Sequence, residues 1–294
     1  MATHALDIIT ILKCIKEAED KFLGERRKWG TKDEKQALIF EWYAKYRDVL
    51  DKITGLDAKA SKDAQELNDF LKSKGFAPMF HELTSNDIGV ASILDKMVKW
   101  LKGTAQVVDI VAENRQTYPG FELPKEGTVI FETPRGLLAE LRTRSNDTLW
   151  LLLPSRGIAL EGLEMVKMAF ELMSESHAPS MGYAGAEIPM LDFEIEPDIN
   201  FMNSADTYDQ QGAYWFIAQA FQAFKMRMDE EGARVKVATG IRLYTAKIPV
   251  KVKLVFNRPF YGWWTQDSLK GLPMAVFCAN YDSWRKSADR LEDL

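Results

Sequence analysis

Asp229-Glu-Glu-Gly232, running into Ala233-Arg-Val-Lys-Val-Ala-Thr-Gly240 and on to Ile248-Pro-Val-Lys-Val-Lys-Leu-Val-Phe256, is the stretch on which the fold turns. In its second half Ile248, Val250, Val252, Leu254 and Phe256 alternate with Lys251 and Lys253. A period of two is that of a half-buried strand. Val235 and Val237 alternate with Arg234 and Lys236 in the same way. The segment 232–257 therefore reads either as a loop between strands or as a strand of a settled sheet. Its charge is also distinctive. Between Lys225 and Arg258 stand nine bases (Lys225, Arg227, Arg234, Lys236, Arg242, Lys247, Lys251, Lys253, Arg258) and three acids (Asp229, Glu230, Glu231), a local reversal in a chain of net charge −5.

Working outward, the same short β-rich grammar extends back to Gly103. Gly127 to Thr133, Gly136 to Thr143 and Thr148 to Leu153 predict a three-strand meander, and Pro154 to Gly157 a turn. Leu160 to Ser174 has helical spacing through Leu163, Val166, Ala169, Phe170 and Met173. Glu187 to Ile195 reads as strand, and Gln219 to Met228 is open between helix and strand. Before Gly103 the pattern is helical. Ala5 to Phe22 carries an apolar stripe, and Thr31-Lys-Asp-Glu34 is a capping box opening a helix that runs toward Ile53. Ser61 is expected to cap a third helix ending near Gly75, and Asn86 or Asp87 a fourth through Ile88, Ile93, Leu94, Met97 and Leu101. Glycine follows each of the four. These readings predict an α+β fold, with a helical region 1–105 packed on a mainly antiparallel body 106–294.

The chain has 294 residues, 46% hydrophobic and 28% charged, which excludes collagen-like and disordered classes. Apolar runs such as Leu149 to Leu153 fall far short of the roughly 20 residues of a membrane-spanning helix. The first residues carry acids and polar groups where a secretion signal needs a basic end and an apolar stretch, and the chain has 2 cysteines, Cys14 and Cys278. A cytoplasmic setting without disulfides is the expectation. Phosphate-loop, dinucleotide, zinc-protease and serine-hydrolase motifs are missing. His4, His81 and His177 fall in separate segments, Cys278 sits in an apolar run, and Asp192, Glu194, Glu196 and Asp198 share one strand face that reads as solvated. No catalytic residue, cofactor or metal is expected.

Five blocks stand in order along the chain: Leu151-Leu-Leu-Pro154 with Leu160-Glu-Gly-Leu-Glu164, Ile188-Pro-Met-Leu-Asp-Phe-Glu-Ile-Glu196, Asp229-Glu-Glu-Gly232, Asn257-Arg-Pro-Phe260, and Leu272-Pro-Met-Ala-Val-Phe-Cys-Ala-Asn280. Together, over roughly residues 120 to 283, they resemble the serpin superfamily. There a strand ending in Leu-Pro, a short helix, an inner strand, a glycine hinge, an exposed reactive loop and two closing strands follow one another. Asn68, Phe76 and Phe80 match a further serpin segment more faintly, although Ala64 to Leu71 itself reads as helix. The N-terminal third is not matched.

The resemblance implies a hinge at Glu230, Glu231, Gly232 and Ala233. It also implies a scissile bond near Ala246, Lys247 or Ile248: counting from the hinge gives Ala246, and counting back from Asn257 gives Ile248. Lys247 would invite a trypsin-like protease, and Pro249 disfavours a cut directly after Ile248. Inhibition by loop insertion would release strain stored in the uncut molecule. The run Ala233-Arg-Val-Lys-Val departs from the small residues that fast-inserting hinges carry.

The first reading of function is accordingly a non-catalytic protein that engages another protein, a protease in its sharpest form. The alternative is nucleic-acid binding by Arg234, Lys236, Arg242, Lys247, Lys251 and Lys253, with Tyr244, Tyr261, Trp263 and Trp264 for base stacking. An enzyme with an unrecognised site is a third reading.

Overall fold

A computed structural model describes residues 2–84, 87–95, 99–100, 105–144, 147–155, 158–230 and 252–288. The first part of the chain forms β1 (His4–Asp7), α1 (Ile8–Ala18), a π-helical turn Glu19–Leu23, α2 (Glu34–Tyr46), a 3-10 stretch Arg47–Lys52, β2 (Leu56–Ser61), α3 (Ala64–Ser73) and β3 (Gly89–Leu94). Strands then dominate: β4 (Gln106–Val111), β5 (Thr117–Pro124), β6 (Thr128–Thr133), β7 (Gly136–Arg142) and β8 (Asp147–Pro154). After α4 (Leu163–Ser174) come β9 (Tyr183–Pro189), β10 (Leu191–Ile195), β11 (Asp206–Tyr208) and β12 (Tyr214–Phe216). The last are β13 (Phe224–Met228), β14 (Val252–Val255), β15 (Phe260–Gln266) and β16 (Ala275–Ala279). The architecture is α+β with mainly antiparallel sheets.

Contacts divide the chain into two units. One holds Met97–Glu194 and Lys225–Leu294 with the first five residues, and the other holds Leu6–Lys96 and Ile195–Phe224. Beside the division expected at residue 105, the notable feature of this partition is that residues 195–224 group with the N-terminal elements.

In the first unit a six-stranded sheet runs β1-β16-β15-β8-β7-β6. The expected meander is its second half, with Leu138 opposite both Phe131 and Leu152. β15 lies antiparallel between β8 and β16, so that Trp263 faces Trp150 and Tyr261 faces Cys278. Gly262 sits between Leu151 and Phe277, where a Cβ would come within 2.2 Å of Phe277 Cζ. A glycine lets that ring lie across the strand. A four-stranded sheet, β14-β9-β5-β4, has β14 parallel to β9 and its other pairs antiparallel. The strand expected over 187–195 divides at Met190 into β9 and β10.

In the second unit α1 begins one turn later than its apolar stripe, because residues 4–7 form β1 and Asp7 is the cap, its Oδ1 accepting from Thr10 N at 3.0 Å. The capping box opens on Asp33 rather than Thr31. Asp33 Oδ1 accepts from Gln36 N (2.9 Å) while Gln36 Oε1 accepts from Lys32 N (2.7 Å), the same reciprocal device two residues on. Asp63 likewise replaces Ser61 as the cap of α3. The fourth helix expected from residue 86 is instead strand β3, paired antiparallel with β2 in the register Ala91↔Lys59 and Ile93↔Asp57. Ala91 and Ile93 point into a cluster with Leu67 and Leu71 of α3, so a period of two prevailed over a stripe that also fitted 3.6. Asn68 organises the next connection, accepting from Met79 N and Phe80 N and donating to Phe80 O at 2.9 Å.

Asp7 is buried and also holds Gln222, whose Nε2 donates to Asp7 O at 2.8 Å. Burial pushes its carboxyl up to about 7, from an ordinary 3.8. The folded protein keeps this proton where the unfolded chain releases it. Stability from this group is therefore full below the ordinary value, falls as pH rises toward 7, and levels off above that. Asp7→Asn retains a capping oxygen and removes the titration. Chemical denaturation at several pH values is expected to show it near neutral in effect at pH 4 and more stable than the parent at pH 8. A constant difference across that range would refute this account.

Candidate functional site

The central candidates Glu231, Gly232, Ala233, Arg234, Lys236, Arg242, Ala246, Lys247, Ile248 and Lys251, with Tyr244, lie outside the described residues. The chain on both sides of them is described. Upstream is β13, which settles the open reading of Gln219 to Met228: Phe224, Met226 and Met228 are buried, and Lys225 and Arg227 face the other way. Lys225 Nζ meets Glu194 Oε1 at 3.1 Å and Arg227 Nε meets Asp192 Oδ1 at 3.3 Å. Ascending partners on one strand match descending partners on the other, so β13 and β10 run antiparallel. Asp192 and Glu194 thus lie on the wet face of this pair, whereas Glu196 and Asp198, expected on the same strand face, fall beyond the end of β10 at Ile195. Among the described residues no group of acids, histidines and cysteines is arranged to hold a metal. Among the described residues β13 pairs with β10.

Two side chains hold the end of β13. Trp100 Nε1 donates to Asp229 O at 3.0 Å; the indole is 2% exposed and stacks on Phe121 with ring centroids 5.7 Å apart. Lys286 Nζ lies 2.8 Å from Glu230 Oε1. Lys286 is brought there by a C-terminal stretch that pairs along β10, with Arg285 N donating to Met190 O at 3.0 Å and Trp284 bridging Leu191. The second carboxylate oxygen of Glu230 is buried without a hydrogen-bond partner among the described residues. Such an oxygen costs roughly 1–3 kcal/mol while it stays unpaired. Neither Trp100 nor Lys286 carries a sequence signal, since both reach Asp229 and Glu230 from positions far away along the chain.

Downstream, β14 starts at Val252, which is 65% exposed, and then turns Leu254 and Phe256 inward as the alternation predicts. Lys253 Nζ meets Glu122 Oε2 at 2.5 Å and Glu187 Oε1 at 3.4 Å, and the hydrogen bond with Glu122 raises its pKa. The next block forms a corner: Asn257 O accepts from Glu113 N at 2.8 Å and Arg258 Nη2 donates to Pro154 O at 3.0 Å. The rings of Phe256 and Phe260 meet edge to face at 5.1 Å.

Of the six bases considered for nucleic acid, Lys253 alone is described, and two carboxylates already hold it. Of the four supposed aromatic companions, Tyr261 and Trp263 are core, Trp264 is half-buried, and Tyr244 lies outside the described residues. Tyr261 and Trp263 are 2% and 0% exposed, and Tyr261 Oη accepts from Leu160 N at 2.8 Å. Rings buried between strands cannot stack on bases, so this part of the alternative is corrected. Cys278 is also core, its thiol pushed up to about 12 by burial, far from the range of a nucleophile.

No protein-family model matches the chain, and no curated protein matches it in sequence. Solved structures do match in fold. The mouse protein-Z dependent protease inhibitor is 10% identical, with 95% of this chain and 91% of that one covered and a TM-score of 0.59. Serpin48 of the insect Tenebrio molitor, described as a highly specific serpin, is 12% identical over 95% and 92% of the two chains, TM-score 0.57. Thyroxine-binding globulin in complex with thyroxine is 9% identical over 97% and 93%, TM-score 0.54. These likenesses span the N-terminal elements as well as the body in which the ordered blocks were found. The protein has a serpin-like fold.

Proposed function

We propose that this chain is a non-catalytic protein that engages another protein through the segment 232–257, and that its partner is a protease which takes the segment as a substrate. Glu230, Glu231, Gly232 and Ala233 serve as the hinge, and Ala246, Lys247 and Ile248 flank the bond offered for cleavage. The observation that carries this reading is how the segment is tethered. It leaves from β13, which pairs with β10, and returns into β14 of a different sheet. Fully extended, the 21 residues 231–251 reach roughly 70 Å, ample for a hinge portion to add along β13 once the downstream tether is cut. Val235 and Val237 supply one apolar face for such a strand, and Arg234 and Lys236 the solvated one. A fold used by a protease inhibitor and by a thyroxine-binding protein does not itself choose between those roles, so the segment must be tested directly.

Limiting trypsin on the full chain, followed by a denaturing gel, mass mapping and a thermal melt, makes that test. The expected result is a cut between Thr245 and Val250 together with a denaturant-resistant protease adduct. The same cut without an adduct, but with a large rise in melting temperature, would retain insertion and remove trapping. Resistance of 231–251 while other sites are cut would make it a settled strand and overturn the proposal.

A further inference from the structure

Residues 19–48 build a cavity that the reading of the 231–251 segment does not use. Its volume is about 180 Å³, and Arg26, Arg27, Trp29, Phe40, Tyr43 and Arg47 line it. A cavity of about 150 Å³ is enough to take a benzene ring, so one substituted ring is the size of ligand that fits.

The lining is chemically mixed. Trp29 and Phe40 stack with centroids 5.1 Å apart and planes 13° apart, an apolar surface for a flat molecule. Three guanidinium groups share the lining. Arg47 is held by Glu19 and Asp20, and Arg26 Nη2 meets both oxygens of Asp48 at 2.9 Å. The Arg27 guanidinium meets a single acceptor among the described residues, the carbonyl of Glu25, at 2.9 Å from Nη2 and 3.3 Å from Nε. Nη1 and half of Nη2 are left to donate, and they form the end of a fork suited to a carboxylate.

The rim is held in an unusual conformation. Arg26 has φ +56°, a left-handed position that disfavours a residue with a side chain. Glu19 imposes it: this fully buried carboxylate accepts from Arg26 N at 3.1 Å and Arg27 N at 3.2 Å. It also accepts from Trp29 Nε1 at 2.9 Å and Tyr43 Oη at 2.7 Å. One side chain therefore sets the loop that carries Arg27, the indole of the stacked pair and the Tyr43 phenol together. Backbone strain over-determined by a buried polar group is characteristic of a ligand clamp.

The geometry points to a binding site for a small aromatic carboxylate, its ring against the Trp29–Phe40 pair and its carboxylate on Arg27. Selectivity follows from the mixed lining. A neutral ring lacks the charge-assisted hydrogen bonds, and a carboxylate without a ring lacks the stacking surface.

Ligand-observed saturation-transfer NMR on the full chain tests this with benzoate as probe and benzamide, acetate and inorganic phosphate as comparisons. Saturable benzoate binding with a Kd on the order of 1 mM is expected for a ligand of this size. Benzamide and acetate should bind at least about tenfold more weakly. Arg27→Gln and, separately, Phe40→Leu should each weaken benzoate about tenfold with unchanged circular dichroism, two variants guarding against misfolding of one. Equal binding of benzamide would remove the guanidinium from the account, and equal binding of acetate or phosphate would remove the ring. Benzoate binding that survives Arg27→Gln, or no saturable binding at 10 mM probe, would overturn the site. None of these outcomes depends on whether a protease cleaves residues 231–251.

Discussion

Replacing Glu19 with alanine is expected to destabilise the fold by about 3–5 kcal/mol, the usual cost of removing one member of a buried charged network. Glu19 is 0% exposed. The donors it would abandon come from four places: the backbone of Arg26 and Arg27, the Trp29 indole, the Tyr43 phenol, and Arg47 Nε at 3.4 Å. All of these residues except Arg26 are buried or half-buried, so water cannot replace the lost acceptor everywhere. Burial and the hydrogen bond to Glu19 raise the Tyr43 pKa, so the phenol remains a donor throughout the working pH range. Glu19→Gln keeps one carbonyl oxygen and should cost less, about 2 kcal/mol. Urea unfolding of both variants measures these differences. A loss under 1 kcal/mol for Glu19→Ala would mean that the loop relaxes and solvates its donors.

Trp100→Ala should cost a similar amount, about 3–5 kcal/mol, by leaving a cavity beside Phe121. It should also loosen the end of β13, because the Trp100 indole donates to Asp229 O. Trp100→Phe separates the two effects. It keeps most of the packing, forfeits the N–H, and should cost about 1 kcal/mol. Hydrogen exchange of the amides from Met226 to Glu230 is expected to quicken in both variants, beyond what the change in global stability accounts for. Unchanged local protection in Trp100→Phe would show that Glu230–Lys286 and the β10 pairing hold the end of β13 by themselves.

The meander β6-β7-β8 and helix α4 could be read from residues because their periods are clean and glycine or proline bounds them. The same holds for the inward Leu254 and Phe256. The ordered blocks around them led to the serpin-like fold without a single long motif. Residues 86–95 misled, because Ile88, Ile93 and Leu94 fit a helical stripe as well as a strand in so short a window. Their choice was made by β2, which offers a ladder of hydrogen bonds from Leu56 to Ser61. Caps were misplaced by two residues at Thr31 and Ser61 for a related reason. Several neighbouring side chains can cap, and the one that does depends on where packing starts the helix.

The Glu230-Glu-Gly232 block was visible in the sequence, since charge and glycine placement are local. Its supports were not. Trp100 and Lys286 reach Asp229 and Glu230 only after β4, β5 and the C-terminal stretch are in place, and no short-range pattern marks either residue. The Arg27 pocket was hidden for the same reason, because its arginines read as ordinary surface charge until Glu19 gathers their loop. By itself, then, the sequence determined the element types with clear periodicity and the order of the blocks along the chain, which depend on interactions within a few residues. Tertiary structure alone decided which aromatic rings are core, which charges are already neutralised and which guanidinium shares a pocket with a stacked pair. Those properties arise from contacts between residues far apart in the chain, and the free energy of burying or pairing each group is set by neighbours that only the folded arrangement supplies.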